Sequence, residues 1–101
     1  MEIRGRKVLV DFWTKHERAR KPLQRWYDIT EKTVWKNFTQ LKSTFASADL
    51  FQKKGGTFVI FNIAGNRYRL VAQVDFSGTL VIVAVVLTHS QYDQDKWKDV
   101  L

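Results

Sequence analysis

Three strand-length runs separated by short turn signals fill the carboxyl-terminal half of the chain, and no other feature constrains the fold as much. Thr57 to Ile63 is apolar on both faces, Arg67 to Asp75 alternates, and Leu80 to Leu87 is a continuous buried-type run. Between them, Gly65-Asn66 is a hairpin signal and Ser77-Gly78-Thr79 a turn. Strands joined by so few residues run antiparallel, so the pattern predicts a three-stranded meander. In the alternating run Tyr68, Leu70, Ala72 and Val74 point one way, and Arg67, Arg69, Val71, Gln73 and Asp75 point the other. Helices are expected on one face, with the other face available for a ligand.

The amino-terminal half supplies those helices. Residues 2–5 suit a short edge strand. Val8, Leu9, Phe12, Trp13 and Ala19 then recur at helical steps, predicting a helix that runs to about Arg20. Pro22 fits a first helical position. Leu23, Trp26, Tyr27 and Thr30 mark a second stripe, and Val34, Phe38, Leu41 and Phe45 a third. Lys53-Lys54-Gly55-Gly56 reads as a loop. Trp13, Trp26 and Trp35 fall on or beside these stripes and are expected to plug the helix–sheet interface; Trp97 stands in a polar tail and has no such assignment. The result is one α+β domain over 1–101, with amino-terminal helices packed on one face of a small antiparallel sheet.

Composition narrows the chemistry. With no cysteine, thiolate metal sites, disulfides and cysteine nucleophiles are excluded. His16 and His89 are the only imidazoles and no metal-ligand spacing accompanies them, so neither metal nor cofactor is expected. His16, among Lys15, Glu17 and Arg18, reads as a bystander on a solvated helix. The opening residues lack a signal-peptide core, and Leu80 to Leu87 falls far short of the ~20 residues that span a bilayer. A cytoplasmic protein without a membrane partner is expected. The formal charge is +7, and residues 1–54 hold 13 basic and 6 acidic side chains against 4 and 4 in residues 55–101. Such an excess either solvates helix faces or favours a polyanionic partner.

Two segments carry the functional signal: Phe61-Asn62-Ile63-Ala64-Gly65-Asn66-Arg67-Tyr68-Arg69 across the first turn, and Thr88-His89-Ser90-Gln91-Tyr92-Asp93 after the last strand. Both resemble the HigB family of type II toxins, within the RelE-like superfamily of messenger RNA interferases and the wider RelE/ParE-like fold. That family shows a Phe-Asn-x-x-Gly-Asn-x-x-Arg hairpin and a Thr-His-x-x-Tyr-Asp ending. The likeness extends back through Leu41 to Asp49 and Trp35-Lys36-Asn37-Phe38 to the helical opening. Single motifs of this length occur by chance; several in order are specific.

The resemblance implies a ribosome-dependent, metal-independent endoribonuclease in which the 2′-hydroxyl of a translated messenger RNA attacks the adjacent phosphate. That reaction needs a base, an acid and donors for phosphorane charge. Arg69 offers a planar fork to phosphate oxygens, with Arg67 beside it. His89 is either a cap at a strand end or a titrating group, and the resemblance favours the second; with Tyr92 it is a candidate for acid or base, the order left open. Asn66 reads as a turn residue tolerating a left-handed backbone, with RNA contact as a second role. Asn62, Asp75 and Asp93 are assigned structural roles. Arg4, Arg6, Lys7, Lys36 and Lys42 are expected at RNA phosphates, mostly of ribosomal RNA at the decoding site. The implied partners are messenger RNA, the ribosome and a HigA-type helix-turn-helix antitoxin. A gyrase-directed toxin of the ParE kind shares the fold, and a non-catalytic RNA-binding module would share the charge, so both remain alternatives.

Overall fold

A computed structural model describes residues 1–53 and 55–101. The chain runs β1 (Glu2–Arg4), α1 (Arg6–Lys15), a 3₁₀ turn (Glu17–Ala19), α2 (Arg20–Lys32), α3 (Phe38–Thr44), β2 (Asp49–Lys53), β3 (Gly56–Ile63), β4 (Tyr68–Asp75), β5 (Leu80–Thr88), α4 (His89–Asp93) and a closing 3₁₀ turn (Lys96–Val100). The strands form one five-stranded sheet in the order β1-β5-β4-β3-β2. The predicted meander is its centre, with Phe61 opposite Leu70 and Ala72 opposite Val83. Two edge strands complete it. β1 joins β5 in parallel, Ile3 opposite Val81, which makes the sheet mixed. β2 pairs antiparallel with β3 and takes in Lys53, which had been expected in a loop. Its Asp-Leu-Phe-Gln-Lys sequence is largely exposed, so the apolar signal of a strand is weak there.

The helices follow the stripes with two changes. One continuous helix to Arg20 was expected, but α1 ends at Lys15, where the His16 N–H closes on the Phe12 carbonyl, and a 3₁₀ turn brings Ala19 fully into the core. Pro22 consequently sits in the first turn of α2 at the third residue, where its missing N–H costs no helical bond. The third stripe is shorter than its spacing suggests. Asn37 caps α3 by accepting the Gln40 N–H at 2.9 Å, Val34 is exposed, and Trp35 takes the buried place instead.

Gly5 turns the chain from β1 into α1 at φ +92°, a conformation that disfavours any side chain. A Cβ there would also stand 2.9 Å from the Val83 carbonyl oxygen. In the β3–β4 turn the positive φ values fall on Ala64 and Gly65 rather than on Asn66, so the expected left-handed Asn66 is corrected by one residue. The four-residue loop between Ile63 and Tyr68 places the backbone reversal early.

Each face of the sheet has its own core. α1, α2 and α3 cover one, where Leu9, Leu23, Trp26, Trp35 and Leu41 meet Phe61, Leu70, Val81 and Val83. Trp26 lies edge-on to Phe61 at 5.3 Å, as does Phe45. The opposite face was expected to be open. Instead the closing 3₁₀ turn lays Trp97, only 5% exposed, over Phe58, Ile60, Val71 and Leu87. Among the described residues no helix is long and apolar enough to cross a membrane.

Candidate functional site

β4 begins and β5 ends at the same edge of the fold, because the two are antiparallel with Tyr68 opposite Thr88. The His89 N–H extends that ladder by one bond, donating to the Arg67 carbonyl at 3.0 Å. The chain then turns directly into α4. Thr88 starts the helix with a reciprocal cap: its hydroxyl accepts the Gln91 N–H at 3.2 Å and its own N–H donates to the Gln91 side chain at 3.0 Å. The Thr-His-x-x-Tyr-Asp segment is therefore held rigidly, and its side chains are aimed by a capped helical turn.

Arg69 lies on the face that Trp97 covers, opposite Leu87 on one side and Asn62 on the other. Its Nη1 donates to the Asn66 carbonyl at 3.0 Å and to the Tyr68 carbonyl at 3.3 Å. Its guanidinium carbon stands 5.1 Å from the centre of the Tyr92 ring. Tyr92 in turn stacks on Trp97 at 5.3 Å and 18°, and the Trp97 Nε1–H donates to the Tyr92 carbonyl at 2.9 Å. Among the described residues both hydrogen bonds of Arg69 use Nη1, which leaves the Nε–Nη2 edge for a ligand. That edge is the planar fork that matches two oxygens of a phosphate.

His89 is exposed at the sheet's end, and its Nε2 lies 3.3 Å from Asp93 Oδ2, one helical turn on. Asp93, assigned only a structural role from sequence, thus faces the imidazole; the four-residue spacing was the available signal. On the helix side of the same end, His16 is half-buried. Its ring stacks on Phe12 at 4.4 Å and lies 6.3 Å from Tyr68, so it is part of a packed aromatic group, which corrects the expectation of a place on a solvated helix.

The residues expected at RNA phosphates do not gather into one patch. Asn66 and Arg67 are exposed in the turn beside Arg69. Arg67 precedes β4, so it is a loop residue and not the same-face strand neighbour that strict alternation predicts. Arg4 pairs with Ile82, six residues short of Thr88, which is roughly 20 Å along the strand. At that remote corner Arg4 meets Glu2 at 2.8 Å and Lys7 meets Asp11 at 2.7 Å. Arg6 lies over Trp13 and Tyr27, at 5.6 and 5.8 Å. Lys42 donates to the Ala48 carbonyl at 3.3 Å and sits over Phe38, and Lys36 is exposed beside α3.

The residue that sequence reasoning left without a place is Trp97. A large aromatic ring isolated among Lys and Asp was itself the signal that the tail docks.

Against known proteins the chain matches a family model described as HigB toxin, RelE-like toxic component of a toxin-antitoxin system, over residues 19–95. It is 31% identical over 93 residues to the mRNA interferase toxin HigB of Escherichia coli K12, covering 92% of this chain and 88% of that protein. The mRNA interferases HigB of Escherichia coli O157:H7 and Shigella flexneri match to the same extent.

Proposed function

The chain belongs to the HigB family of RelE-like toxins, and from that premise we propose that it cleaves translated messenger RNA on the ribosome, in the cytosol, until a HigA-type antitoxin binds it. The observation that carries the reading is the shared sheet end, where Arg69 is held over Tyr92 with one edge free and the N–H of the exposed His89 bonds to the Arg67 carbonyl two residues before Arg69. Relatives at 31% identity are named messenger RNA interferases, which agrees with it.

The reaction needs no metal in this reading. A base takes the proton from the 2′-hydroxyl, and the oxygen attacks the adjacent phosphorus. Charge gathers on the non-bridging oxygens, where the Nε–Nη2 edge of Arg69 donates two hydrogen bonds. An acid then protonates the departing 5′-oxygen, leaving a 2′,3′-cyclic phosphate and a 5′-hydroxyl. His89 and Tyr92 fill the acid and base roles, with Asp93 setting the imidazole's orientation. Asn66 and Arg67 flank the site and hold the RNA backbone, while Arg4, Arg6, Lys7, Lys36 and Lys42 serve wider ribosomal contacts, since they stand apart from it.

The test is brief induction in cells followed by primer extension on one message in translated and untranslatable forms. Cuts confined to the translated form are expected, and they should vanish on co-expression of the antitoxin. Growth arrest with intact messages and broken DNA would transfer the chain to the gyrase-directed reading. Cuts that persist unchanged in His89→Gln and Tyr92→Phe would leave it an RNA-binding module with another nuclease at work.

A further inference from the structure

We propose that the cavity between β2, α4 and the closing 3₁₀ turn is a nucleobase subsite, receiving one base of the RNA beside the phosphate that Arg69 faces. The proposal rests on the nuclease reading for the identity of that RNA, and it names where the enzyme holds the base rather than the phosphate.

The cavity measures about 420 Å³, the size of a small ligand site. Phe51, Ile60 and Tyr92 form its apolar wall, and Lys53, Lys98 and Asp99 its polar rim. The aromatic wall is already fixed. Phe51 lies parallel to Phe58 at 5.4 Å and 17°, and meets Trp97 edge-on at 5.8 Å, while Tyr92 stacks on the same Trp97. Lys53 donates to the Lys98 carbonyl, so the tail and the edge strand close one side together. Lys98 itself is steadied over Trp97 at 5.5 Å and by Asp95 at 3.4 Å.

Aromatic side chains beside lysines are the composition that holds single-stranded RNA, where unstacked bases lie on side-chain rings and cations meet the backbone. Tyr92 belongs to the cavity wall and also touches Arg69. A nucleotide whose phosphate meets the Arg69 fork therefore has this recess within one sugar's reach. An apolar protein segment would bury Lys53 and Lys98 against uncharged surface; RNA supplies an anion to Lys53, which among the described residues meets only a carbonyl, and a second anion to Lys98 beside Asp95.

Nuclear magnetic resonance of the full chain, titrated with each of the four ribonucleoside 5′-monophosphates, tests the subsite independently of cleavage. Ring signals of Phe51, Tyr92 and Trp97 should move while those of Trp13 stay. Phe51→Ala should weaken binding about tenfold and Phe51→Tyr should restore it, as expected for the loss of one stacking partner. Lys98→Glu, at an exposed position, should weaken binding too and covers the case in which Phe51→Ala does not fold. Absence of shifts at these rings in millimolar nucleotide, or equal binding by folded Phe51→Ala and by Lys98→Glu, overturns the proposal. So does perturbation of the rings by the antitoxin alone. In the ribosomal assay, Phe51→Ala should flatten the base preference at one position beside the cut by a similar factor. A wild-type protein that binds nucleotide here but cuts no message would remove the nuclease reading and leave the subsite standing.

Discussion

The two faces of the sheet are built on different terms. Under the helices, Leu9, Leu23, Trp26, Trp35, Leu41, Phe61 and Leu70 are almost wholly buried, and Thr30 is the one buried polar residue of the described chain. On the other face a smaller group, Phe58, Ile60, Val71, Leu87 and Trp97, shares its space with Tyr92 and borders Arg69. Continuous burial gives the helix side most of the fold's stability at about 25 cal/mol per Å² of apolar surface. The tail side gives up part of that gain to keep a guanidinium edge and a phenol near solvent. Stability and chemistry should therefore separate by face when single residues are changed.

Phe61→Ala gives the largest expected effect. Its ring touches Trp26, Trp35 and Phe45, so the cavity cannot close by moving one neighbour. A loss of about 3–5 kcal/mol is expected, a large share of the 5–15 kcal/mol typical of a domain. Denaturant melts measure it. A cost below 1 kcal/mol would mean that the helix side does not dominate, and the contrast between faces would fall.

Arg69→Ala should do the reverse. It removes the donor edge from the tail face while touching none of the helix core, so cleavage on the ribosome should drop by roughly 10²–10³, about 2.7–4 kcal/mol of barrier. The melting curve should stay close to that of the wild type. Undiminished growth arrest from a normally expressed, folded Arg69→Ala protein would remove Arg69 from the site; unfolding would show that the faces are not separable.

How far this division could be read in advance depended on local signals. The meander was legible because Gly65 and Ser77-Gly78 interrupt runs of aliphatic residues at hairpin spacing, and the meeting of Arg69 with Tyr92 because both belong to motifs that the meander brings to one end of the sheet. The edge strands divide. Residues 2–5 were read as a short edge strand, which β1 is, although its parallel pairing with Leu80–Ile82 was not foreseen; β2 is mostly exposed and so lacks the periodicity that burial imposes. Alternation held along β4, with Leu70, Ala72 and Val74 on the helix side and Val71 on the other in spite of a register shift between Val71 and Ala72; what it did not show is that the tail would bury Val71. The docking of Trp97 depends on surface that exists only once the sheet has formed.

Trp97→Phe sharpens the comparison within the tail face. Phenylalanine keeps a ring against Tyr92 and Phe51 but loses the Nε1–H bond to the Tyr92 carbonyl. One such bond contributes about 0.5–1.5 kcal/mol, so a modest fall in stability and a cleavage rate within a few-fold of wild type are expected. Trp97→Ala removes the stack as well and should fall below Trp97→Phe in both assays. Equal behaviour of the two variants would show that the tail only covers the sheet and does not hold Tyr92.

The smallest effect belongs to neither face. Asp75 ends β4 at the edge opposite His89, where its carboxylate accepts the Ser77 hydroxyl at 2.8 Å and the Gly78 N–H at 3.1 Å. The Ser77 hydroxyl first, and then the Gly78 N–H, hold its pKa below the ordinary value, which is about 3.9 for aspartate. A depressed carboxylate pKa stabilises the fold above the unfolded value and loses that contribution as pH falls through the lower folded one. Full exposure keeps the contribution small. Comparing thermal melts of wild type and Asp75→Ala near neutrality and in strong acid isolates it, since every other carboxyl titrates in both proteins. The gap in melting temperature should be present near neutrality and close only below the ordinary carboxylate range, while ribosomal cleavage by the two proteins stays equal. A gap independent of pH would mean that Asp75 acts through turn geometry alone, and unequal cleavage would show that the far hairpin is coupled to the site at Arg69.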